Sequence, residues 1–141
     1  MVISATTRPD SAGSAPPLTV ALLALPDSTA STLFGLYDLL LGTRRDWQML
    51  VHQTEVDSPF RPLIVSRDGL PLQGANGVLI QPQTSLEDAP PVDVVVISDL
   101  AVSPWQPLGE RYDIEAQWMC ERYAAGATLA SACSGAVLLA R

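Results

Sequence analysis

Leu18-Thr19-Val20-Ala21-Leu22-Leu23-Ala24-Leu25 runs between Pro17 and Pro26 with Thr19 as its one polar residue. Alternate side chains of a strand point to opposite faces, so a run that is apolar at every step describes a strand buried on both sides. Such strands belong to parallel sheets sandwiched between helices, and this run predicts the first central strand of an α/β domain. It is far too short to span a bilayer, and a single arginine, Arg8, precedes it, so neither a membrane segment nor a secretory leader is expected.

The rest of the chain alternates in the same style. Leu33, Leu36, Tyr37, Leu40 and Leu41 recur at helical spacing behind a candidate cap at Ser28 or Ser31, and Gly42 supplies a stop. Trp47 to Gln53 alternates as a second strand carrying His52, while Leu63-Ile64-Val65 and Gly77-Val78-Leu79-Ile80 around Asp68-Gly69 predict an antiparallel excursion with a tight turn. Val92 to Ile97 reads as a third strong strand. Tyr112, Ala116, Met119, Cys120 and Tyr123 share one helical face, which places Cys120 in the core, and Gly126 ends that helix. Strands separated by helices predict a doubly wound, mostly parallel α/β sandwich of the flavodoxin-like kind. Residues 1–17, rich in Pro, Gly and small polar residues, are expected to form a flexible tail, leaving 18–141 as one domain, incomplete at its C-terminal end.

Composition narrows the function. A chain of 141 residues with 48% hydrophobic residues can bury one substantial core. Its net charge of -7, with only eight Lys and Arg, argues against this segment gripping a phosphate backbone. Two cysteines and one histidine provide neither a disulfide framework nor a closed metal shell, so a reducing, cytoplasmic setting is expected, with no metal and no cofactor.

The chemistry-bearing segment is Ser131-Ala132-Cys133-Ser134-Gly135, set between the β-run Ala127 to Ala130 and the helix-like Ala136 to Ala140. A sharp strand-to-helix turn crowds its backbone, and the small neighbours of Cys133 suit that geometry. A cysteine there faces the N-terminal end of a helix, whose unpaired N–H groups favour thiolate. A lone cysteine in apolar surroundings is, in contrast, an inert core residue, and the pattern alone leaves both readings open.

The segment Tyr123 to Ala136 and the opening stretch Val20 to Leu40 resemble the ThiJ/PfpI superfamily, a branch of the class I glutamine amidotransferase-like fold. The resemblance is specifically to the sensor domain at the front of AraC-type transcriptional regulators. It implies an elbow cysteine at Cys133. Enzymes of the superfamily carry an acidic residue early in the first helix, where this chain has Thr32. They carry small glycines after the third strand, where it has Ser98-Asp99-Leu100, and protease-like members place His after the cysteine, where it has Ser134. Threonine cannot act as an acid or base near neutral pH, and a turn bearing an acidic side chain opposes an oxyanion.

The resemblance therefore implies a cleft at the carboxyl ends of the strands, lined by Thr32, Asp99, Leu100, Cys133 and Ser134, that binds an effector without transforming it. A homodimer is expected, with DNA contacted only through a helix-turn-helix region C-terminal to this segment. The alternative is a cysteine-dependent enzyme of the isonitrile hydratase, amidase or glyoxalase-like kind using Cys133 as nucleophile. A redox sensor with Cys120 as resolving thiol, or a purely structural dimerisation domain, would also fit the residues.

Overall fold

The computed structural model describes residues 15–103 and 105–141, so the predicted tail over 1–14 lies outside the described residues. β1 (Leu18–Leu23) leads into α1 (Ala30–Gly42), a one-turn α2 (Arg45–Trp47) and a π-helical turn over Gln48–His52. β2 (Phe60–Ser66), β3 (Leu72–Gln73), β4 (Leu79–Ile80), β5 (Thr84–Ser85) and β6 (Val94–Ile97) follow. α3 (Asp113–Ala124), β7 (Thr128–Ser131), a 3-10 turn over Cys133–Gly135 and α4 (Ala136–Leu139) complete the described chain. The main sheet has the order β5-β2-β1-β6-β7 and every pairing in it is parallel.

β1 sits at the centre and splits its side chains as its sequence requires. Ala21, Leu23 and Leu25 face one core with Val95, Ile97, Tyr112, Trp118 and Met119. Val20, Leu22 and Ala24 face the other, with Leu33 of α1, Ile64 and Ile80. Burial on both faces is what makes this strand's register unambiguous, since a one-residue slip would exchange the two cores. Leu36, Tyr37 and Leu40 pack along the second core as their spacing predicts. The N-cap of α1 is Thr29, neither of the serines; Ser28 is buried, where its Oγ accepts the Leu25 N–H at 3.1 Å and the Ser98 hydroxyl at 3.0 Å.

Several sequence expectations are corrected. Trp47 to Gln53 is helical, with Gln48 N–H donating to Arg44 O at 2.9 Å and the turn closing at Gln53 in the left-handed region (φ 53°). Trp47, Met49, Leu50 and Val51 are all exposed, so their alternation reflects no packed face, and His52 is exposed with them. The second strand is β2, a parallel neighbour of β1 rather than one arm of an excursion. The antiparallel pair is β3 with β4, and it turns at Gly74 to Gly77 instead of Asp68-Gly69. Cys120 is exposed: the buried face of α3 is Glu115, Trp118 and Met119 behind Tyr112, and one further residue rotates the side chain about 100° away from it. Tyr123 is exposed as well, and Gly126 takes φ 103° just past the end of α3. Among the described residues no helix is long and apolar enough to cross a membrane.

Candidate functional site

In a sheet of this order the chain leaves β1 toward β2 on one side and β6 toward β7 on the other, so the topological switch point lies between β1 and β6. A ligand crevice is expected outside the carboxyl ends of those two strands. Three loops meet there: residues 24–29 after β1, 98–102 after β6, and the turn after β7 that carries Cys133.

Cys133 stands at φ 48°, in the left-handed region that a residue with a side chain enters only when its surroundings enforce it. The enforcement is visible. Ala132 N–H donates to Ile97 O at 2.9 Å, and Gly135 N–H folds back onto Ala132 O at 3.0 Å. Gly135 itself presses against the end of β6, where a β-carbon would stand 2.3 Å from Ser98 O and 2.8 Å from Ile97 O. Only glycine fits, and the turn is thereby clamped to β6. The thiol is exposed, and among the described residues no hydrogen bond reaches its sulfur. The helix that follows it, four residues long, is one residue shorter than the stretch the sequence predicts, and so short a helix carries little dipole.

The neighbouring polar groups are engaged with one another. Ser134 Oγ accepts the Leu100 N–H at 2.9 Å while its hydroxyl donates to Leu100 O at 2.7 Å. Leu100 is also bridged to Ser28, and Ala101 N–H donates to Asp27 O at 2.8 Å, so the loops after β1 and β6 are stitched across the crevice. The Leu100 side chain is buried in the core and does not line an open cleft. Thr29 Oγ1 lies 2.6 Å from Asp99 Oδ1 and 3.3 Å from Thr32 Oγ1. With one hydroxyl proton, Thr29 donates to the carboxylate and receives the Thr32 proton in turn, a relay ending on Asp99. Of the residues the sequence singles out, Thr32 and Asp99 are linked through Thr29, and Ser134 lies on Leu100; sequence reasoning missed Thr29 and Ser28.

A second polar cluster lies past the ends of β1 and β2, and sequence reasoning missed it. Arg67 Nε and Nη2 donate to Glu115 Oε1 and Oε2 at 2.8 and 2.7 Å, with Glu115 buried against α3's core face. Arg111 pairs with Asp27, whose Oδ2 also accepts the Tyr112 hydroxyl at 2.6 Å. Burial first, then the bond to Asp27, pushes the Tyr112 hydroxyl well above the ordinary phenol range, so it stays a donor. Glu115 and Asp27 raise the affinity of Arg67 and Arg111 for their protons. The available signal was Glu115, a lone carboxylate at helical spacing from Tyr112, Trp118 and Met119. Among the described residues no group of three His, Cys, Asp or Glu is placed to hold a metal ion.

The fold built on this five-stranded parallel sheet is matched by solved structures. One from Vibrio parahaemolyticus, described as a transcriptional regulator, has a TM-score of 0.65 at 18% identity, covering 88% of this chain and 60% of its own. This is a ThiJ/PfpI-like fold. A ThiJ/PfpI family protein from Pseudomonas syringae matches with TM-score 0.65 at 18% identity, over 95% of this chain and 52% of the other. An AraC family transcriptional regulator from Pseudomonas putida matches with TM-score 0.61 at 19% identity, over 89% and 70%. The chain thus spans about half to 70% of the ThiJ/PfpI-like structures it resembles. Neither a protein-family model nor a curated protein matches the sequence.

Proposed function

We propose that this domain is a cytoplasmic ligand-sensing and dimerising module of an AraC-type transcriptional regulator, in which the elbow is retained as architecture and not as a catalyst. The observation that carries the reading is Ser134. Its hydroxyl holds both the N–H and the C=O of Leu100, and so consumes the main-chain donor on the turn after β6 that a developing oxyanion would need. Losing one such donor typically raises a barrier by about 3 kcal/mol. At Thr32 the helix offers a hydroxyl already committed to the Thr29 and Asp99 relay, with no proton to exchange near neutral pH. The likeness to a regulator from Pseudomonas putida supports the same reading. In this view DNA is contacted by a helix-turn-helix region C-terminal to this segment, and the domain's own acidity keeps it off the phosphate backbone.

A second reading, a cysteine-dependent ThiJ/PfpI-type enzyme, draws on the exposed thiol at φ 48°. The two differ in the state of the sulfur. Alkylation of Cys133 by iodoacetamide at neutral pH, followed by mass spectrometry, is expected to run no faster than that of a free cysteine reference under the same conditions. Because Cys120 is exposed too, the measurement must be made on the separated peptides or in Cys120→Ser. Alkylation of Cys133 about a hundredfold or more faster than that reference would replace the sensor reading with the enzyme.

A further inference from the structure

A cavity of ≈ 300 Å³ opens past the carboxyl ends of β1 and β2. It is a different place from the elbow: β6 and β7 lie on the far side of β1, and none of Thr32, Asp99, Leu100, Cys133 and Ser134 lines it. Ala24, Pro26 and Leu72 give it an apolar surface, and Arg67 and Arg111 both reach into its wall.

The two guanidinium groups are each held by one edge. Arg67 spends Nε and Nη2 on Glu115, and Nη2 also donates to Arg111 O at 3.1 Å. Its Nη1 has no partner among the described residues. Arg111 spends Nη1 on Asp27, and its guanidinium also lies against Tyr112, 5.9 Å from the ring centroid. Glu115 is 2% exposed and cannot swing away, so it fixes the orientation of Arg67 as a buried carboxylate behind a binding arginine does. Of the carboxylates in the wall, Glu115 gives both oxygens to Arg67 and Asp68 gives Oδ1 to the Leu70 N–H, while Asp27, which does not line the cavity, gives Oδ2 to Arg111 and Tyr112. What the cavity offers a visitor is a surplus of N–H donors on oriented cations beside a hydrocarbon surface.

We propose that this cavity binds a small organic monocarboxylate, its carboxylate between Arg67 Nη1 and the Arg111 guanidinium and its short apolar body against Ala24, Pro26 and Leu72. Charge-assisted N–H donors from two guanidinium groups suit the two oxygens of a carboxylate, which a hydroxyl or ammonium ligand would not exploit. Asp68, also in the wall, opposes a second negative group and so selects against dicarboxylates. The volume lies at the small end of ligand cavities, roughly 300 to 1,000 Å³, which limits the body to a few carbons. The site goes beyond the sensor reading and stands or falls without it, since no elbow residue takes part.

The test is an amide-resolved NMR titration of the 141-residue chain with butyrate, and with butyramide as the uncharged isostere. Butyrate is expected to produce saturable shifts centred on residues 66–72 and 111–115, with butyramide weaker by about tenfold or more. Arg111→Gln, at an exposed position, is expected to weaken butyrate by a similar factor. Arg67→Lys keeps a cation against Glu115, removes the Nη1 donor, and should weaken it too, so the question survives a misfolded first variant. No saturable shift, equal response to butyramide, or indifference of both variants would overturn the proposal. Shifts centred on 98–100 and 131–135 would also overturn it, while leaving the sensor reading intact.

Discussion

Gly135→Ala is expected to destabilise the domain by about 2–3 kcal/mol, read as a lower urea midpoint at unchanged slope. The added methyl would stand 2.3 Å from Ser98 O and 2.8 Å from Ile97 O, and both are backbone oxygens at the end of a central parallel strand. Neither can rotate out of the way as a side chain would. Relief must come from moving the turn, which would pull Ala132 N–H off Ile97 O and loosen the φ 48° conformation at Cys133. The same substitution at Gly35 is a matched control. A β-carbon there meets nothing within 4 Å, and Gly35 lies inside α1, so Gly35→Ala should stabilise by about 0.5–1 kcal/mol. Two identical chemical changes with opposite signs would tie the cost at Gly135 to contact with β6. A neutral result at Gly135 would mean that the elbow is not clamped as described.

What was legible in the chain follows from how local each determinant is. Leu18 to Leu25 and Val92 to Ile97 read correctly because a strand buried on two faces is apolar at nearly every position, with only Thr19 and Asp93 interrupting, a signal that needs no partner to interpret. Trp47 to Gln53 did not, because its apolar side chains are exposed and the alternation therefore carries no information about a packed face. Cys120 failed for a subtler reason. The helix turns a carboxylate, Glu115, into its core, and a reading by hydrophobicity shifted the buried face by one position to avoid it. The elbow was legible from its small residues, since crowding at a turn is written in adjacent positions. The contacts that decide what the elbow can do were not: Thr29 to Asp99 spans 70 residues, Ser134 to Leu100 spans 34, and Arg67 to Glu115 spans 48. Polar pairs at such separations leave no periodicity, and they appear only when the sheet order brings loop ends together.

Arg67→Ala is the change expected to cost most, about 3 kcal/mol, toward the low end for breaking a buried pair because the Arg67 side chain is itself 47% exposed. The loss is not the strength of the bridge. It is the penalty of leaving Glu115, whose side chain is only 3% exposed, as a carboxylate without a partner beneath α3. That distinction predicts non-additivity. Arg67→Met combined with Glu115→Leu removes both charges and leaves shapes of similar bulk, and should recover most of the stability that Arg67→Ala forfeits. Urea midpoints of the two single variants and the pair supply the cycle. If the double variant were as unstable as the two singles added together, Arg67 and Glu115 would be uncoupled, and the cost of Arg67→Ala would not be that of a stranded carboxylate. Because Arg67 also donates to Arg111 O, and Arg111 and Tyr112 both hold Asp27, the same loss should spread to the loop after β1. Faster amide exchange at residues 24–29 in Arg67→Ala, with β7 unchanged, would trace that connection from the end of β2 through the N-terminus of α3 to the loop that roofs the crevice.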